Sequence, residues 1–413
     1  HCRALFFVAH DTGTKFCQKR STFFRRCVVT DFFVCYNCIM KLLIPCATGL
    51  EAVVKRQLLL LGYGETRAVN GRIAVENCSW SDVARLNVFL RSGERVLVQL
   101  ASFQATTFDQ LFDGVASVAW GDWIDAQGKV TVVTKAVDSL LFAHHSIQAV
   151  GKKAVVSVLQ RKYGSVEESG AEYKVELDIT KNTVSVNLDT SGVGLHKRGY
   201  RTLAYSAPLK ETTAAALIDL SVWNPDKMFC DLFCGSGTLP IEAAIKALKI
   251  APGRNRTFAF QQWNCVDKNA LSFAFQEADD IRQNRQLNIV GGDVNAKAVD
   301  IAWYHAKQAG VENSVKFNLR SAQEFVTRQS YGVHISNPPY GERLGDVQEA
   351  RQIARDMGKL YRTLDKWNFY FLSPSQDFER DFGRRADKKR YIFNAGIKCS
   401  FYTFCGPKPP KNL

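Results

Sequence analysis

Apolar and polar positions change period part-way along this chain. From Met40 a short apolar run, Leu42-Leu43-Ile44, reads as a strand. Thr48-Gly49-Leu50-Glu51 follows with the spacing of a capping box, Thr48 accepting from the N3 amide and Glu51 reaching back. It predicts a helix to about Leu61, stopped at Gly62. Asn70-Gly71 predicts a hairpin turn before Arg72-Ile73-Ala74-Val75. Helical spacing over 81–90, 107–118 and 146–163 then alternates with strand patterns over 95–100, 129–134 and 173–179. A turn at Lys181-Asn182 leads into a last strand over 183–188. The set predicts an α+β domain over residues 40–190.

From residue 212 onward helices alternate with short strands that read as buried, at 228–233, 287–291, 315–319, 331–336 and 368–372. That order predicts a Rossmann-like, doubly wound parallel sheet whose ligands sit at the carboxyl ends of the strands. Residues 390–404, with Asn394-Ala395-Gly396 inside, predict an antiparallel hairpin added at one edge. Between the two domains, 191–211 reads as a basic surface linker. Its Lys197, Arg198 and Arg201 around Tyr200 suit a phosphate backbone and a stacked base, or equally a solvated connection.

With 413 residues, 46% apolar and 23% charged, the chain has material for two or three cores and is not disordered in composition. Its net charge of +14 points to a polyanion. No apolar stretch approaches the roughly 18 residues of a membrane span, so nucleic acid is preferred to membrane. Twelve scattered cysteines without a signal peptide fit a reducing cytoplasm. The one CxxC, Cys35-Tyr36-Asn37-Cys38, lacks the second pair a zinc site needs, and no metal is expected. Residues 1–39 share no period with the rest. They read as an N-terminal extension outside the fold, either an over-extended reading frame or a small cysteine-bearing arm.

Three motifs carry chemistry. The run Asp231-Leu232-Phe233-Cys234-Gly235-Ser236-Gly237-Thr238 ends the first strand of the second sheet and opens a helix. Its glycines allow a tight turn and close approach of a ligand. It is no P-loop, since no Gly-Lys-Ser/Thr follows, and Pro240 stands where a dinucleotide fingerprint has its third glycine. Asp293, ending the next strand, stands where a carboxylate grips a ribose diol, so the pair indicates an adenosine-type cofactor. Asn337-Pro338-Pro339-Tyr340 follows the strand at 331–336. There the amide oxygen of Asn337 and the carbonyl of Pro338 can share one substrate NH₂ while Tyr340 stacks on a planar ring. Those are the needs of a base amine that is to be methylated: its delocalised lone pair must be localised and aimed, and no strong general base is required. The base must first leave its stack.

With Leu195-His196-Lys197-Arg198-Gly199-Tyr200-Arg201, Ala207-Pro208-Leu209-Lys210-Glu211-Thr212 and Gly341-Glu342-Arg343-Leu344, these motifs resemble the bacterial THUMP-domain 23S rRNA guanine-N2 methyltransferases, in one order over residues 40–410. The resemblance implies an RNA-binding THUMP domain at 40–190, a linker at 191–211 and a class I S-adenosylmethionine methyltransferase domain at 212–413, in the form with a single catalytic domain. It implies that Gly235 and Gly237 face the methionine part, Asp293 the ribose, and that Lys210, Glu211 and Thr212 cover the cofactor. Asp231, Phe233, Thr238 and Ser321 complete that site. Asn337, Pro338 and Tyr340 hold the guanine, and Arg343 joins Lys197, Arg198, Tyr200 and Arg201 on the RNA. The implied partner is large-subunit rRNA or its assembly intermediate, in the cytoplasm, with neither membrane nor DNA. Two positions depart from the family: Leu232 replaces a proline, and Ser321 stands where an acidic residue is usual near the adenine. Methylation of tRNA, a non-catalytic RNA-binding assembly factor and a DNA methyltransferase remain as alternatives.

Overall fold

The computed structural model describes residues 39–410 apart from 70, 204–208, 341–343, 365, 395 and 409. The CxxC at Cys35, the turn residue Asn70, the Ala207-Pro208 pair and Arg343 therefore lie outside the described residues.

The first half runs β1 (Met40–Pro45), α1 (Glu51–Leu60), β2 (Thr66–Val69), β3 (Arg72–Cys78), α2 (Trp80–Phe89), β4 (Leu97–Gln104), α3 (Phe108–Ala116), β5 (Lys129–Val137), α4 (His144–Tyr163), β6 (Glu172–Thr180) and β7 (Thr183–Asp189). All seven strands join one sheet in the order β2-β3-β1-β4-β7-β6-β5. Only β5 and β6 pair in parallel, through the crossover helix α4. The predicted elements are present, and Gly62 and Gly71 take the positive φ that ends α1 and turns β2 into β3. The capping box at Thr48 is not. The helix starts two residues later, with Leu50 at the N-cap, and Glu51 instead accepts from the Gly49 amide at 2.9 Å.

The second half runs α5 (Glu211–Leu220), β8 (Phe229–Asp231), α6 (Thr238–Ala247), α7 (Ala270–Asp280), β9 (Ile289–Asp293), α8 (Ala296–Gln308), β10 (Lys316–Leu319), β11 (Val333–Ser336), α9 (Leu344–Thr363), β12 (Asn368–Ser373), α10 (Phe378–Phe382), β13 (Lys388–Asn394) and β14 (Ile397–Phe404). The sheet order is β10-β9-β8-β11-β12-β14-β13, parallel through β12 and closed by the antiparallel hairpin β13–β14. The chain leaves β8 toward β9 and returns on its other side as β11, so the order reverses between β8 and β11. A crevice opens at the carboxyl ends of such a pair.

The division at residues 190 and 212 is not a division of cores. Between α6 and β9 the chain crosses to the first half, where Phe258, Phe260 and Trp263 are buried in the same apolar cluster as Trp80 and Tyr173. Trp263 stacks on Tyr173 with centroids 5.0 Å apart. Behind it α7 lies along α2, and Glu277 takes the Arg85 guanidinium at 2.7 Å. In the other direction, Leu50 and Val53 at the start of α1 belong to the cluster under the second sheet. The described residues form one compact unit. Among the described helices none is long and apolar enough to cross a membrane.

Candidate active site

The glycine loop follows β8 and the Asn-Pro-Pro-Tyr corner follows β11, so the two motifs stand side by side where the strand order reverses. Gly235 and Gly237 have φ of +50° and +84°. A Cβ on Gly237 would stand 2.9 Å from Phe317 Cζ, so the turn into α6 tolerates no side chain there. Asp293, at the tip of β9, accepts from the Gly235 amide (Oδ2, 2.9 Å) and from the Asn295 amide (Oδ1, 2.9 Å). It thus fixes the glycine loop while remaining half-exposed. His305 of α8, whose ring Nδ1 lies 3.1 Å from the Ser236 carbonyl, holds the loop from below.

Asp231 faces inward rather than into the crevice. Its Oδ1 accepts from the Phe233 amide (3.1 Å) and from the Ser336 hydroxyl (2.5 Å), and Ser336 Oγ also meets His334 Nε2 at 3.0 Å. Burial lifts the Asp231 carboxyl to about 7, against the pull of those two hydrogen bonds. Burial likewise drives His334 down to about 3, so its ring is neutral. Ser336, the residue before Asn337, therefore ties the corner to the root of the glycine loop.

At the corner itself Pro338 is buried and Asn337 and Tyr340 are half-exposed. The Tyr340 hydroxyl donates to Asn337 Oδ1. The Tyr340 oxygen in turn receives Asn394 Nδ2 at 3.4 Å and the Cys399 thiol at 3.9 Å, both from the terminal hairpin. Burial pushes the Tyr340 phenol well above its ordinary range and the Cys399 thiol upward, so both keep their protons.

Glu211 opens α5. It is buried, and its Oε2 takes no hydrogen bond, with Arg201 Nη2 at 3.5 Å. Burial raises this carboxyl despite Arg201. An orphaned acceptor at a helix start is suited to a donor from a bound ligand. Thr212 does something else: its hydroxyl donates to Glu94 Oε1 of the first half at 2.6 Å. Burial pushes Glu94 up, but His196, Thr212 and Lys210 outweigh it and hold it at about 2. Phe233 is half-exposed and Thr238 buried beside the glycine loop. Ser321 caps a short turn, accepting from the Gln323 amide at 3.3 Å, while Glu324 reaches back to the Ser321 amide at 3.2 Å.

The basic linker is corrected by the structure. Arg198 and Tyr200 are 4% and 3% exposed and point inward. Arg198 donates to the carbonyls of Leu195 and Arg91, and Tyr200 to Glu242 Oε1 at 3.3 Å. Glu242, wholly buried on α6, also faces Arg198 (3.6 Å) and Arg91 (3.4 Å). Side chains buried and paired in this way are not displayed to solvent, where a phosphate backbone would lie. Arg201 is partly consumed too, donating to the Leu209 carbonyl at 2.9 Å. Lys197 alone of the four is exposed. Glu242 was detectable in the sequence: a lone carboxylate among Ile241, Ala243, Ala244 and Ile245 must find a cation. His305 and Asn394 carried no such signal.

Known proteins resemble this chain in sequence and fold. Residues 41–97 match the RlmL ferredoxin-like domain, 105–189 the THUMP domain and 198–403 the RMKL-like methyltransferase domain. A Bacillus subtilis (strain 168) protein named "Putative RNA methyltransferase YpsC" is 40% identical over 368 residues, covering 88% of this chain and 95% of that one. A ribosomal RNA large subunit methyltransferase K/L of Marinomonas sp. (strain MWYL1) is 30% identical over 89% of this chain. This chain spans about half of the K/L protein's length (53%). A Listeria monocytogenes structure titled a "predicted N6-adenine-specific DNA methylase" superposes with a TM-score of 0.85 at 40% identity, covering 90% of this chain and 97% of that one. SMU.472, "a putative methyltransferase complexed with SAH", does so with 0.84 at 39%, covering 90% and 99%. With its ferredoxin-like and THUMP segments ahead of an RMKL-like catalytic domain, the chain belongs to the THUMP-domain RNA methyltransferase family.

Proposed function

We propose that this protein transfers a methyl group from S-adenosylmethionine to the exocyclic N2 amine of a guanine in large-subunit rRNA. The observation that carries the reading is the juxtaposition of the glycine loop after β8 with Asn337 after β11, across the point where the strand order reverses. Gly235, Gly237, Asp293 and the orphaned Glu211 Oε2 suit the cofactor, and a structure of one relative contains SAH.

The bound cofactor supplies an electrophilic methyl group. The chain supplies orientation. Asn337 Oδ1 has two lone pairs, one met by Tyr340, and the other accepts an amine hydrogen. The Pro338 carbonyl takes the second hydrogen, and together they localise the nitrogen lone pair and aim it at the glycine loop. The Tyr340 ring provides a stacking face for the unstacked base. The N–C bond would form as the methyl–sulfur bond breaks, S-adenosylhomocysteine would leave, and one amine proton would pass to solvent.

The test is methyl transfer from labelled S-adenosylmethionine to unmodified 23S rRNA, tRNA and DNA, followed by nucleoside analysis. N2-methylguanosine from rRNA is expected. Asn337→Ala should lower turnover by about two to three orders of magnitude with RNA affinity nearly intact, because it removes an acceptor used at the reacting amine. Wild-type turnover in that variant would remove Asn337 from the mechanism. Product from tRNA alone would keep the chemistry and change the substrate, and 6-methyladenine in DNA would overturn both.

A further inference from the structure

We propose that Asn394, on the terminal hairpin, is a positioning residue that acts through the Tyr340 hydroxyl to hold the Asn337 amide with its oxygen presented to the substrate amine. The inference rests on the reading of Asn337 as the acceptor at the reacting nitrogen.

A side-chain amide has two ends of similar shape and opposite polarity, and only the oxygen can accept an amine hydrogen. Nothing in the Asn-Pro-Pro-Tyr corner alone decides which end faces the crevice. The neighbours decide it. Tyr340 has one proton and an oxygen that can accept. That oxygen is approached by two donors from the hairpin, Asn394 Nδ2 at 3.4 Å and the Cys399 thiol at 3.9 Å. With donors on that side, the tyrosine proton points the other way, to Asn337 Oδ1. An Asn337 amide turned by 180° would set its NH₂ against the tyrosine O–H, donor against donor. The relay from Asn394 through Tyr340 to Asn337 therefore selects one amide orientation.

The hairpin is built to deliver this contact. Asn394 pairs with Ile397 at the tip of β13–β14, and Ile392 and Cys399 form the next cross-strand pair that shares its face. Ile392 and Cys399 are buried in the cluster against which Tyr340 packs, which sets the tip beside the tyrosine oxygen. The antiparallel addition to an otherwise parallel sheet thus brings a side chain from near the C-terminus to the corner after β11.

Asn394→Asp keeps the shape and reverses the polarity, since a carboxylate would accept the tyrosine proton and draw it away from Asn337. Total methyl incorporation from labelled cofactor, counted whatever the nucleoside, should then fall about ten- to a hundred-fold in kcat, with KM for RNA and cofactor affinity changed by less than about two-fold. In a Tyr340→Phe background the same change should cost less than about two-fold more, because the relay is already cut. An equal loss in both backgrounds, or unchanged turnover in the single variant, would overturn the proposal. A readout independent of turnover is the NMR signal of Tyr340 in protein carrying ¹³Cζ-tyrosine, identified by its disappearance in Tyr340→Phe. It should shift in Asn394→Asp, and a signal that stays in place would overturn the relay. If the wild-type product is another methylated nucleoside, the guanine reading fails while the coupling between the two variants still tests the relay. If no RNA is methylated at all, the function reading fails and the NMR shift alone decides.

Discussion

Single residues at the strand ends carry opposite demands. Gly237 must be glycine, with φ of +84° and a would-be Cβ 2.9 Å from Phe317. Gly237→Ala should lower stability by about 1–3 kcal/mol and weaken the thermal shift given by S-adenosylhomocysteine, measurable in one melting experiment with and without ligand. Asp231 stores the reverse kind of strain. Its carboxyl sits near 7 when folded and near 3.9 when unfolded, so between those values the folded state holds a proton that the unfolded state has lost. Stability from this group is therefore greatest below pH 4 and declines as pH rises to 7, by on the order of 4 kcal/mol. Asp231→Asn should abolish that part of the slope between pH 5 and 7 in urea titrations, and an unchanged slope would show that Asp231 ionises normally. Asn337 and the glycines could be read from the sequence because backbone restriction by proline and freedom at glycine are local properties. Arg198 and Tyr200 could not. An Arg beside a Tyr serves a phosphate or a buried carboxylate equally well, and the deciding partner, Glu242, lies far along the chain.

At the scale of elements, period and turn chemistry made most strands and helices legible: in the first half by amphipathic spacing punctuated at Gly62 and Gly71, in the second by short buried runs such as β11 and β12. Thr48 failed as a cap because Leu50 and Val53, drawn into the second core, set where α1 begins. The segment joining the halves was misread for a related reason. What looked like a solvated basic stretch is a clamp in which Arg91, Arg198 and Tyr200 converge on one carboxylate of α6, the helix that continues the glycine loop. Glu242→Gln would leave two buried guanidinium groups without their counter-charge and should cost about 3–5 kcal/mol in denaturant unfolding. Lys197, exposed within the same segment, should be nearly neutral to stability. A Glu242→Gln protein as stable as the wild type would mean that the cations find other partners.

For the whole molecule, the excess of 54 basic over 40 acidic side chains predicts RNA affinity that falls steeply with salt. If Lys197 touches a phosphate, Lys197→Ala should reduce the slope of log Kobs against log[salt] by about 0.9 and weaken binding evenly across sequences. A filter-binding series over salt reads this directly, and an unchanged slope would take Lys197 off the RNA path. The charge balance was plain in the composition, whereas the exchange of segments between the two halves was not, since periodicity says nothing about which core a buried ring will join. That exchange has a consequence for inheritance and for engineering. Phe258, Phe260 and Trp263 lie inside the stretch that matches the catalytic domain, yet the surface that covers them is supplied by the RNA-binding half. A gene fusion that grafted the catalytic segment onto a different RNA-binding module would bring those aromatic rings out naked, as an adhesive patch, so the two modules can be traded between proteins only as a pair.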